Sequence, residues 1–387
     1  MTRTEQTTTA GGIPDDRAGG LLHIDLAALG RNWRSLRDRA GGAEASAVVK
    51  ADAYGTGIEQ AVPALAQAGC RTFFVAHVSE AIRARAAAPG STVYVLNGLF
   101  PDTSQAYAQH DLRPVLGSFE EIGEWAAFCR SQGRRYAAAI HVDTGMNRLG
   151  LTVPQGLTLK DRAELKDFET ALLMSHFVSA EESDNPINNR QIDAFRAVRE
   201  TLPGVRASLA NSSGIFLKEK PHFDLVRPGY ALYGGNPTPD LHNPMSAVVE
   251  LQARIVQLRW VEADDTVGYN ARWLALGRRR IATLSVGYAD GYPRSASARG
   301  TSGEELLAGR VLAAGRQCPF AGNVSMDLIT VDVTDIPESN LRRGDTVTMI
   351  GGALAIDEVG RRAGTIGYEI LTNLGRRYAR TYRGTQG

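Results

Sequence analysis

Eight short apolar runs, rich in β-branched residues, alternate with helical patterns over the first two thirds of the chain. Each run has the length of a buried strand, and the stretches between them repeat apolar residues at spacings of three and four. Strand–helix alternation indicates a parallel sheet with right-handed crossovers. Eight units predict a closed (β/α)8 TIM barrel rather than an open doubly wound sheet. The predicted strands are 45–50, 72–78, 92–97, 112–117, 138–143, 172–177, 206–211 and 223–229.

The pattern changes at about residue 245. Runs such as AVVELQARIVQLRWV, LITVDVT and DTVTMIG follow one another across Gly, Asp and Pro turns, which is typical of β structure. A chain of 387 residues is long enough for two domains. We therefore predict a flexible N-terminal tail over 1–20, a barrel over 21–244 and a mostly β domain over 245–387.

Composition excludes several classes of protein. The 43 basic and 42 acidic residues leave a net charge of +1, so the basic surplus of a nucleic-acid binder is missing. No run of 18 apolar residues predicts a membrane span, and the polar first 20 residues do not resemble a signal peptide. Three scattered cysteines, Cys70, Cys129 and Cys318, indicate a reducing compartment and no clustered metal site. These features predict a cytoplasmic enzyme.

Polar residues recur where the predicted barrel strands end. In barrels of this kind, reactive residues lie at the C-terminal strand ends and in the loops that follow. These residues should therefore form a polar ring at one mouth of the barrel. They are Lys50, His77, Asn97, Asp143, Arg148, His176, Asn211, Ser212, Arg227 and Gly229.

Lys50 is the most informative member of this ring. It follows Ala-Val-Val in a strand that should be buried, and the chain has only five lysines. A buried ammonium is costly unless it is paired, becomes neutral or is covalently bound. A neutral amine suits an imine with an aldehyde cofactor. The alternative is a lysine whose ammonium extends from the strand end into water.

The loops after predicted strands seven and eight offer a phosphate site. They contain Asn211-Ser212-Ser213-Gly214 and Pro228-Gly229-Tyr230, in which small residues let backbone N–H groups approach an anion. Either loop alone could be an ordinary turn. Together with a buried lysine on strand one, they favour pyridoxal 5'-phosphate, which must be held at both ends.

Arg227 lies inside the last predicted barrel strand. If its acceptor is a pyridine nitrogen, that nitrogen stays unprotonated, because a guanidinium does not give up its proton. An acid at this place would make the ring a strong electron sink instead. The alternative partner is a neighbouring carboxylate such as Asp224.

Eight motifs in order resemble those of alanine racemases, the fold type III pyridoxal-phosphate-dependent amino acid racemases. They extend from about Leu21 to Tyr382. The resemblance implies a barrel followed by a β domain, and a head-to-tail homodimer in which each active site is completed by the partner's β domain. The motifs are AVVKADAYGTG, DTGMNRLG, SHF, ANSSGIF, VRPGYALYG, VGYADGYPR, VSMDLITVD and TIGYE.

The resemblance also implies an activity and its residues. The reaction would be the interconversion of L- and D-alanine through a pyridoxal phosphate aldimine, for peptidoglycan synthesis or for D-alanine catabolism. Lys50 would carry the aldimine and act as one base, and Tyr288 would be the second base. Further cofactor contacts would come from Tyr54, Arg148, His176, Asn211, Ser212, Arg227, Gly229, Tyr230 and Tyr368. Arg148 and the Met326 N–H would meet the substrate carboxylate, and Asp327 would line the entrance.

Of the residues that depart from the common pattern of the family, His141 is the one that bears on the site. His141 stands where many members carry a carbamylated lysine that braces the active-site arginine, and a histidine cannot form a stable carbamate. Arg148 would then be held by a chloride ion or by a hydrogen bond from His141. Three other functions stay open: an amino acid racemase of broader specificity, a barrel-type pyridoxal phosphate decarboxylase, and a non-catalytic cofactor carrier.

Overall fold

The computed structural model describes residues 8–9, 12–303 and 308–384. Backbone contacts divide the chain into two units. One contains Leu29–Ala53 and Gly57–Met245, and the other contains Met1–Ala28, Tyr54–Thr56 and Ser246–Gly387. Residues 1–7 and 10–11 of the predicted N-terminal tail lie outside the described residues. Within it, Thr8–Thr9 pair antiparallel with Thr381 and Tyr382, and Asp15–Arg17 form a 3-10 turn.

The first unit is a closed parallel barrel, as the alternation of strands and helices predicts. Neighbouring strands pair in parallel from the first to the seventh. The eighth strand pairs with the first. The N–H groups of Asp224 and Arg227 donate to the carbonyls of Ala207, in the seventh strand, and of Ala210, just after it. Every edge is therefore paired. The strands are Glu44–Ala45 with Ala47–Val48, Thr72–Val75, Thr92–Val95, Arg113–Leu116, Ala137–Asp143, Glu169–Met174, Ala207–Ser208 and Leu225–Val226.

Helices follow the strands and close the barrel core. The strand side chains are Val, Phe, Ile and Leu with little or no exposure, which explains their β-branched and aromatic composition. Local signals set the helix starts: Asn185 and Ser118 cap the helices that follow them. The helices are Leu26–Arg39, Ile58–Ala68, Val78–Ala87, Ser104–Gln109, Phe119–Ser131, Val153–Leu157 and Pro186–Arg199, with 3-10 turns at Leu159–Asp161, Ala163–Lys166, Ser213–Phe216 and Tyr230–Tyr233. A short strand, Leu151–Thr152, pairs beside the fifth barrel strand.

The second unit is built on one long strand, Val249–Val261, which pairs antiparallel with three others. Around it lie mostly antiparallel strands and two short helices. The strands are Gly20–Asp25, Thr266–Val267, Trp273–Leu274, Arg279–Leu284, Gly300–Thr301, Arg310–Ala313, Arg316–Pro319, Ile329–Asp332, Thr346–Ile350 and Ala379–Arg383. The helices are Ile356–Arg362 and Gly367–Thr372, and 3-10 turns occur at Tyr269–Ala271, Tyr288–Asp290, Arg294–Ala296 and Glu338–Asn340.

The division of the chain differs from the predicted domain boundaries at the N-terminal side. Gly20–Asp25 pairs antiparallel with Val249–Val261 and parallel with Ala379–Arg383, so it belongs to the β unit. The sequence instead predicts that the barrel extends over residues 21–244. Local pattern identifies a strand but not its partner, and both partners here are more than 200 residues away. No helix in the described ranges combines the length and apolar character needed to cross a bilayer.

We predict that Trp125→Ala lowers the free energy of unfolding by about 3–5 kcal/mol, because it opens a large cavity in the barrel unit. Trp125 is fully buried between Phe128, Tyr136 and Tyr107. Urea unfolding measures the change. Trp260→Ala is the control, since that side chain is 36% exposed and should cost less than about 1 kcal/mol. Equal losses for the two variants would contradict the prediction.

Candidate active site

Lys50 directly follows the first barrel strand and begins a rare backbone conformation. Ala51, Asp52, Ala53 and Tyr54 have φ values from 52° to 55°, so four consecutive non-glycine residues are left-handed. Such a conformation costs about 1–2 kcal/mol for each residue. The turn therefore stores several kcal/mol of strain. Contacts elsewhere must hold it, and strained backbone of this kind clusters at functional sites.

The amine of Lys50 lies in an electropositive and partly buried environment. Burial is the main cause that lowers its pKa, and the nearby Arg148 guanidinium lowers the pKa further. The Glu80 carboxylate acts in the opposite direction. A lowered pKa increases the fraction of neutral amine at neutral pH, which is the form that attacks an aldehyde. The side chain therefore fits the predicted role in imine formation.

Arg227 is buried, with only 3% exposure, and the groups within hydrogen-bond distance of its guanidinium are uncharged. The guanidinium donates to Ser208 Oγ and the Ser175 carbonyl and lies 3.4 Å from His176 Nδ1. No carboxylate among the described residues forms an ion pair with it. Burial lowers the pKa of Arg227 to about 9, which keeps the group protonated at neutral pH. A buried cation without an acid favours an electron-rich ligand.

Asp224 is engaged elsewhere. Its carboxylate forms an ion pair with Arg199 at 3.2 Å and accepts the Ala207 N–H at 2.8 Å. The alternative interpretation of Arg227 as the partner of Asp224 is therefore wrong.

His141 and His176 are neutral neighbours of these cations. Burial is the main cause that lowers the pKa of both, and Arg227 is the second cause for each. The pKa of His141 falls to about 4, and that of His176 lies well below its usual value. The site therefore combines three cationic side chains with two uncharged imidazoles. Such a group is suited to a ligand that carries a phosphate and a carboxylate.

The two predicted phosphate loops are joined by one hydroxyl. Ser212 Oγ accepts the N–H groups of Gly229 at 3.0 Å and Ala231 at 3.2 Å. Ser212 is buried, and Gly229 immediately precedes the 3-10 turn Tyr230–Tyr233. The loops after strands seven and eight thus converge at the same mouth of the barrel. This arrangement of a hydroxyl and backbone N–H groups fits an anion such as phosphate.

Asn211 shapes the first of these loops. Its Oδ1 accepts the Gly214 N–H at 2.9 Å and closes the start of the turn Ser213–Phe216. A Cβ at Gly214 would lie 3.0 Å from the ring of Phe177, so the close approach favours glycine there. Asn211 therefore supports the loop through its side chain.

The loop that carries Arg148 is held by an acid and an amide. Asp143 Oδ1 accepts two N–H groups, from Gly145 and Met146, each at 2.8 Å. Gln191 Nε2 donates to Thr144 Oγ1 at 3.1 Å and to the His176 carbonyl at 3.0 Å. Gln191 is fully buried and was missed in the sequence. The available signal was a polar residue on the apolar face of a helix.

A hydrogen bond from His141 is one of the two supports that the sequence predicts for Arg148. Within the described part of the chain, no hydrogen bond joins the two side chains, although Arg148 is one of the groups that lower the pKa of His141. The way in which Arg148 is braced stays a prediction.

In the β unit, Tyr288 and Met326 lie on adjacent loops. Tyr288 begins the turn Tyr288–Asp290 and donates its N–H to the Ser325 carbonyl at 3.0 Å, while the Ala289 N–H donates to Met326 O at 3.0 Å. A Cβ at Gly287 would lie 2.3 Å from Met326 O, so only glycine allows the loops this close. The structure therefore brings together the predicted base and the predicted carboxylate contact.

Arg377 links the two loops and was not singled out in the sequence. Its guanidinium forms ion pairs with Asp290 at 3.1 Å and with Asp327 at 2.9 Å. Asp290 also accepts the Gly287 N–H at 2.8 Å. Because Arg377 is far along the chain, only the folded structure reveals that it joins the loops of Tyr288 and Asp327.

Two further predicted cofactor contacts are neighbours in the β unit. The rings of Tyr54 and Tyr368 have centroids 6.2 Å apart and are tilted by 45°. Burial is the main cause that raises the pKa of Tyr54. Its hydroxyl therefore stays protonated at neutral pH and can act as a hydrogen-bond donor.

Comparison with known families decides the identity of this site. The family model described as the alanine racemase N-terminal domain matches residues 24–237, and the model of the alanine racemase C-terminal domain matches residues 248–382. The chain belongs to the alanine racemase family. The resemblance found in the sequence motifs is thereby confirmed.

Individual members of the alanine racemase family agree over nearly the whole chain. The alanine racemase of Methylobacterium sp. (strain 4-46) is 58% identical over 94% of this chain and 98% of its own length. That of Rhizobium meliloti is 45% identical over 95% and 97%. The crystal structure of alanine racemase from Bartonella henselae, which has covalently bound pyridoxal phosphate, matches with a TM-score of 0.88 at 39% identity, over 94% of this chain and 99% of that one.

We predict that His141 makes folding stability depend on pH. Its pKa is about 4 in the folded protein and about 6.5 when unfolded, so the unfolded chain binds more protons between these values. The stabilisation is complete above pH 6.5 and is lost as pH falls, by roughly 2 kcal/mol at pH 5.

Urea unfolding at pH 7 and pH 5 measures this loss. His141→Gln should lose less stability than the wild type over the same interval. His110→Gln is the matched control, at a histidine that follows the helix Ser104–Gln109. This variant should lose as much stability between pH 7 and pH 5 as the wild type. Identical losses in wild type and His141→Gln would exclude a role for His141.

Proposed function

We propose that this chain is an alanine racemase that interconverts L- and D-alanine with pyridoxal 5'-phosphate attached at Lys50. The observation that carries the proposal is a buried arginine, Arg227, that has no acid partner among the described residues, together with the lowered pKa of the Lys50 amine. When bound, pyridoxal phosphate would supply an aldehyde to which an amine can be attached and a conjugated ring that withdraws electrons from the attached amino acid, which acidifies its α-hydrogen. Everything else must come from the protein.

The residues of the barrel fit this cofactor at both ends. Ser212, Asn211 and the backbone around Gly229 and Tyr230 would hold its phosphate, together with Tyr54 and Tyr368. Arg227 would donate to the pyridine nitrogen and keep that atom unprotonated, because the guanidinium retains its proton. His176 would support Arg227, to which it lies close. The ring is then a weaker electron sink, which limits side reactions such as transamination.

Racemisation requires a proton to leave one face of the α-carbon and to return on the other. Lys50 and Tyr288 would serve as the two bases. Arg148 and the Met326 N–H would bind the substrate carboxylate, and Asp327 would line the entrance.

A homodimer is part of the proposal. On the β unit, Tyr288, Met326 and Tyr269 are 41%, 54% and 70% exposed, and Leu328 is also exposed. Large exposed apolar side chains around a catalytic group are typical of an interface. We infer that a second copy covers them head-to-tail, so that the β domain of one protomer completes the barrel site of its partner. Residues 21–244 would then supply Lys50, and residues 245–387 would supply Tyr288.

The setting of the reaction is also proposed. The three cysteines are free, which is consistent with the reducing cytoplasm. There the product D-alanine would serve peptidoglycan synthesis, or D-alanine would be consumed in catabolism. A barrel-type decarboxylase is disfavoured because such enzymes present an acid to the pyridine nitrogen, where this chain offers Arg227. Broader amino acid specificity is tested by the same chiral assay.

We predict that the purified protein with pyridoxal phosphate shows the visible absorbance of a lysine-bound cofactor and converts either alanine enantiomer. Lys50→Ala should lose both the band and the activity. Tyr288→Phe should keep the band but lose racemisation by about 10²–10⁴-fold, because only one face retains a base. In deuterium oxide, this variant should exchange the α-hydrogen of one enantiomer only. Exchange of both enantiomers would contradict the two-base assignment.

We also predict that inactive variants complement each other. In a mixture of Lys50→Ala and Tyr288→Phe with subunit exchange, a hybrid dimer has one site with both bases and one with neither. Random exchange makes about half of the dimers hybrids, so activity should return to about one quarter of wild type. Native mass spectrometry verifies the exchange. Absence of activity in verified hybrids would mean that both bases come from one chain.

A further inference from the structure

Glu80 uses both carboxylate oxygens to bind backbone N–H groups from two loops. One oxygen accepts the Ala51 N–H at 2.6 Å and the Asp52 N–H at 3.4 Å. The other accepts the Ala76 N–H at 2.9 Å and the His77 N–H at 3.2 Å. A single anion thus connects the loops that follow the first and second barrel strands. Hydrogen bonds to an ionised carboxylate are stronger than those between neutral groups.

The loop held by Glu80 is the left-handed turn that starts at Lys50. In this turn the Ala53 N–H donates to the Val49 carbonyl at 3.0 Å, as in one turn of a helix. The N–H groups of Ala51 and Asp52 precede this bond, and Glu80 accepts both of them. The carboxylate therefore caps a turn that alanine and aspartate do not adopt on their own.

A second contact comes from the next turn of the same helix. Arg83 forms ion pairs with Asp52 at 2.5 Å and Glu59 at 2.6 Å, and Asp52 accepts the Ile58 N–H at 3.3 Å. The side chains of Arg83, Asp52 and Glu59 are all more than 40% exposed. Exposed ion pairs contribute little to stability. Of these two contacts, that of Glu80 is therefore the stronger restraint on the turn.

The barrel repeats this device at a place that carries no catalytic lysine. Glu121 is the third residue of its helix, as Glu80 is of Val78–Ala87. Its carboxylate accepts the Leu99 N–H at 2.9 Å and the Gly117 N–H, from the loops after the third and fourth strands. The two glutamates thus make the same kind of connection, and only that of Glu80 involves the turn after Lys50. Glu121 is therefore a matched internal control.

We propose that Glu80 is a positioning residue that holds the left-handed turn and thereby directs the Lys50 amine toward its reaction partner. This inference rests on the proposed function for the identity of that partner, pyridoxal phosphate. Glu80 does not contact the reacting atoms. It acts through the backbone of residues 51 and 52, and its negative charge also favours the protonated form of the Lys50 amine.

The test compares Glu80→Gln with Glu121→Gln. A glutamine keeps the shape of the side chain but has one acceptor oxygen, and its NH2 group faces N–H donors instead of accepting from them. The first readout is amide hydrogen exchange of a peptide that covers residues 49–57, in protein with and without added pyridoxal phosphate. It should become at least tenfold faster in Glu80→Gln and remain within twofold of wild type in Glu121→Gln.

The second readout separates positioning from general loosening of the barrel. Glu80→Gln should lower kcat for alanine at least tenfold and change KM less than threefold, while Glu121→Gln should leave kcat within twofold of wild type. In the Glu80→Gln background, Ala51→Gly should restore kcat at least threefold, because glycine adopts positive φ without strain.

Two results would overturn the proposal: unchanged exchange of residues 49–57 in Glu80→Gln, or an equal fall of kcat in Glu121→Gln. If Glu80→Gln does not fold, Glu80→Asp provides the same comparison, since it keeps the charge but shortens the reach. Faster exchange with lower kcat then supports the proposal, and no change in either overturns it. A wild-type protein that neither binds pyridoxal phosphate nor racemises alanine contradicts the proposed function alone. The role of Glu80 in holding the turn is still tested in that case, because the exchange comparison is also made without the cofactor.

Discussion

Positive charge gathered at the mouth of the barrel is the constraint on which the rest of the site depends. Lys50, Arg148 and Arg227 all lower the pKa of His176, and Arg227 is buried with no carboxylate partner in the described part of the chain. Such a group is costly in an empty protein and is offset by an anionic ligand. The surrounding polar atoms are therefore neutral acceptors, such as the Ser175 carbonyl and Ser208 Oγ, which orient the guanidinium without cancelling its charge.

The sequence carried enough information to predict the barrel and most of its polar mouth. Hydrophobic periodicity reports which residues are buried, and parallel strands bring their C-terminal ends to one edge. For that reason the sequence alone predicts one shared mouth for Lys50, His176, Ser212 and Arg227. The motif resemblance added Tyr288 and Met326, whose loops belong to the other unit and could not be connected to the barrel by periodicity.

The residues that the sequence does not reveal share a physical property: each joins polar groups of loops that are separate in sequence. Gln191 holds a carbonyl and a hydroxyl, Glu80 holds four N–H groups, and Arg377 joins two acids on separate loops. Apart from Gln191, a polar residue on the apolar face of its helix, these residues leave no periodic or compositional trace. The left-handed turn after Lys50 was likewise invisible, because alanine and aspartate do not favour positive φ. Tertiary contacts alone make that conformation stable.

The position of Gly20–Asp25 has a consequence for the order in which the protein is made. This strand leaves the ribosome before any of the barrel. Its first partner, Val249–Val261, follows about 220 residues later, and its second, Ala379–Arg383, lies near the end of the described residues. The barrel strands between them can pair as soon as they emerge. During synthesis, this early apolar strand precedes both of its partners, and the β unit closes only after Ala379–Arg383 has been synthesised.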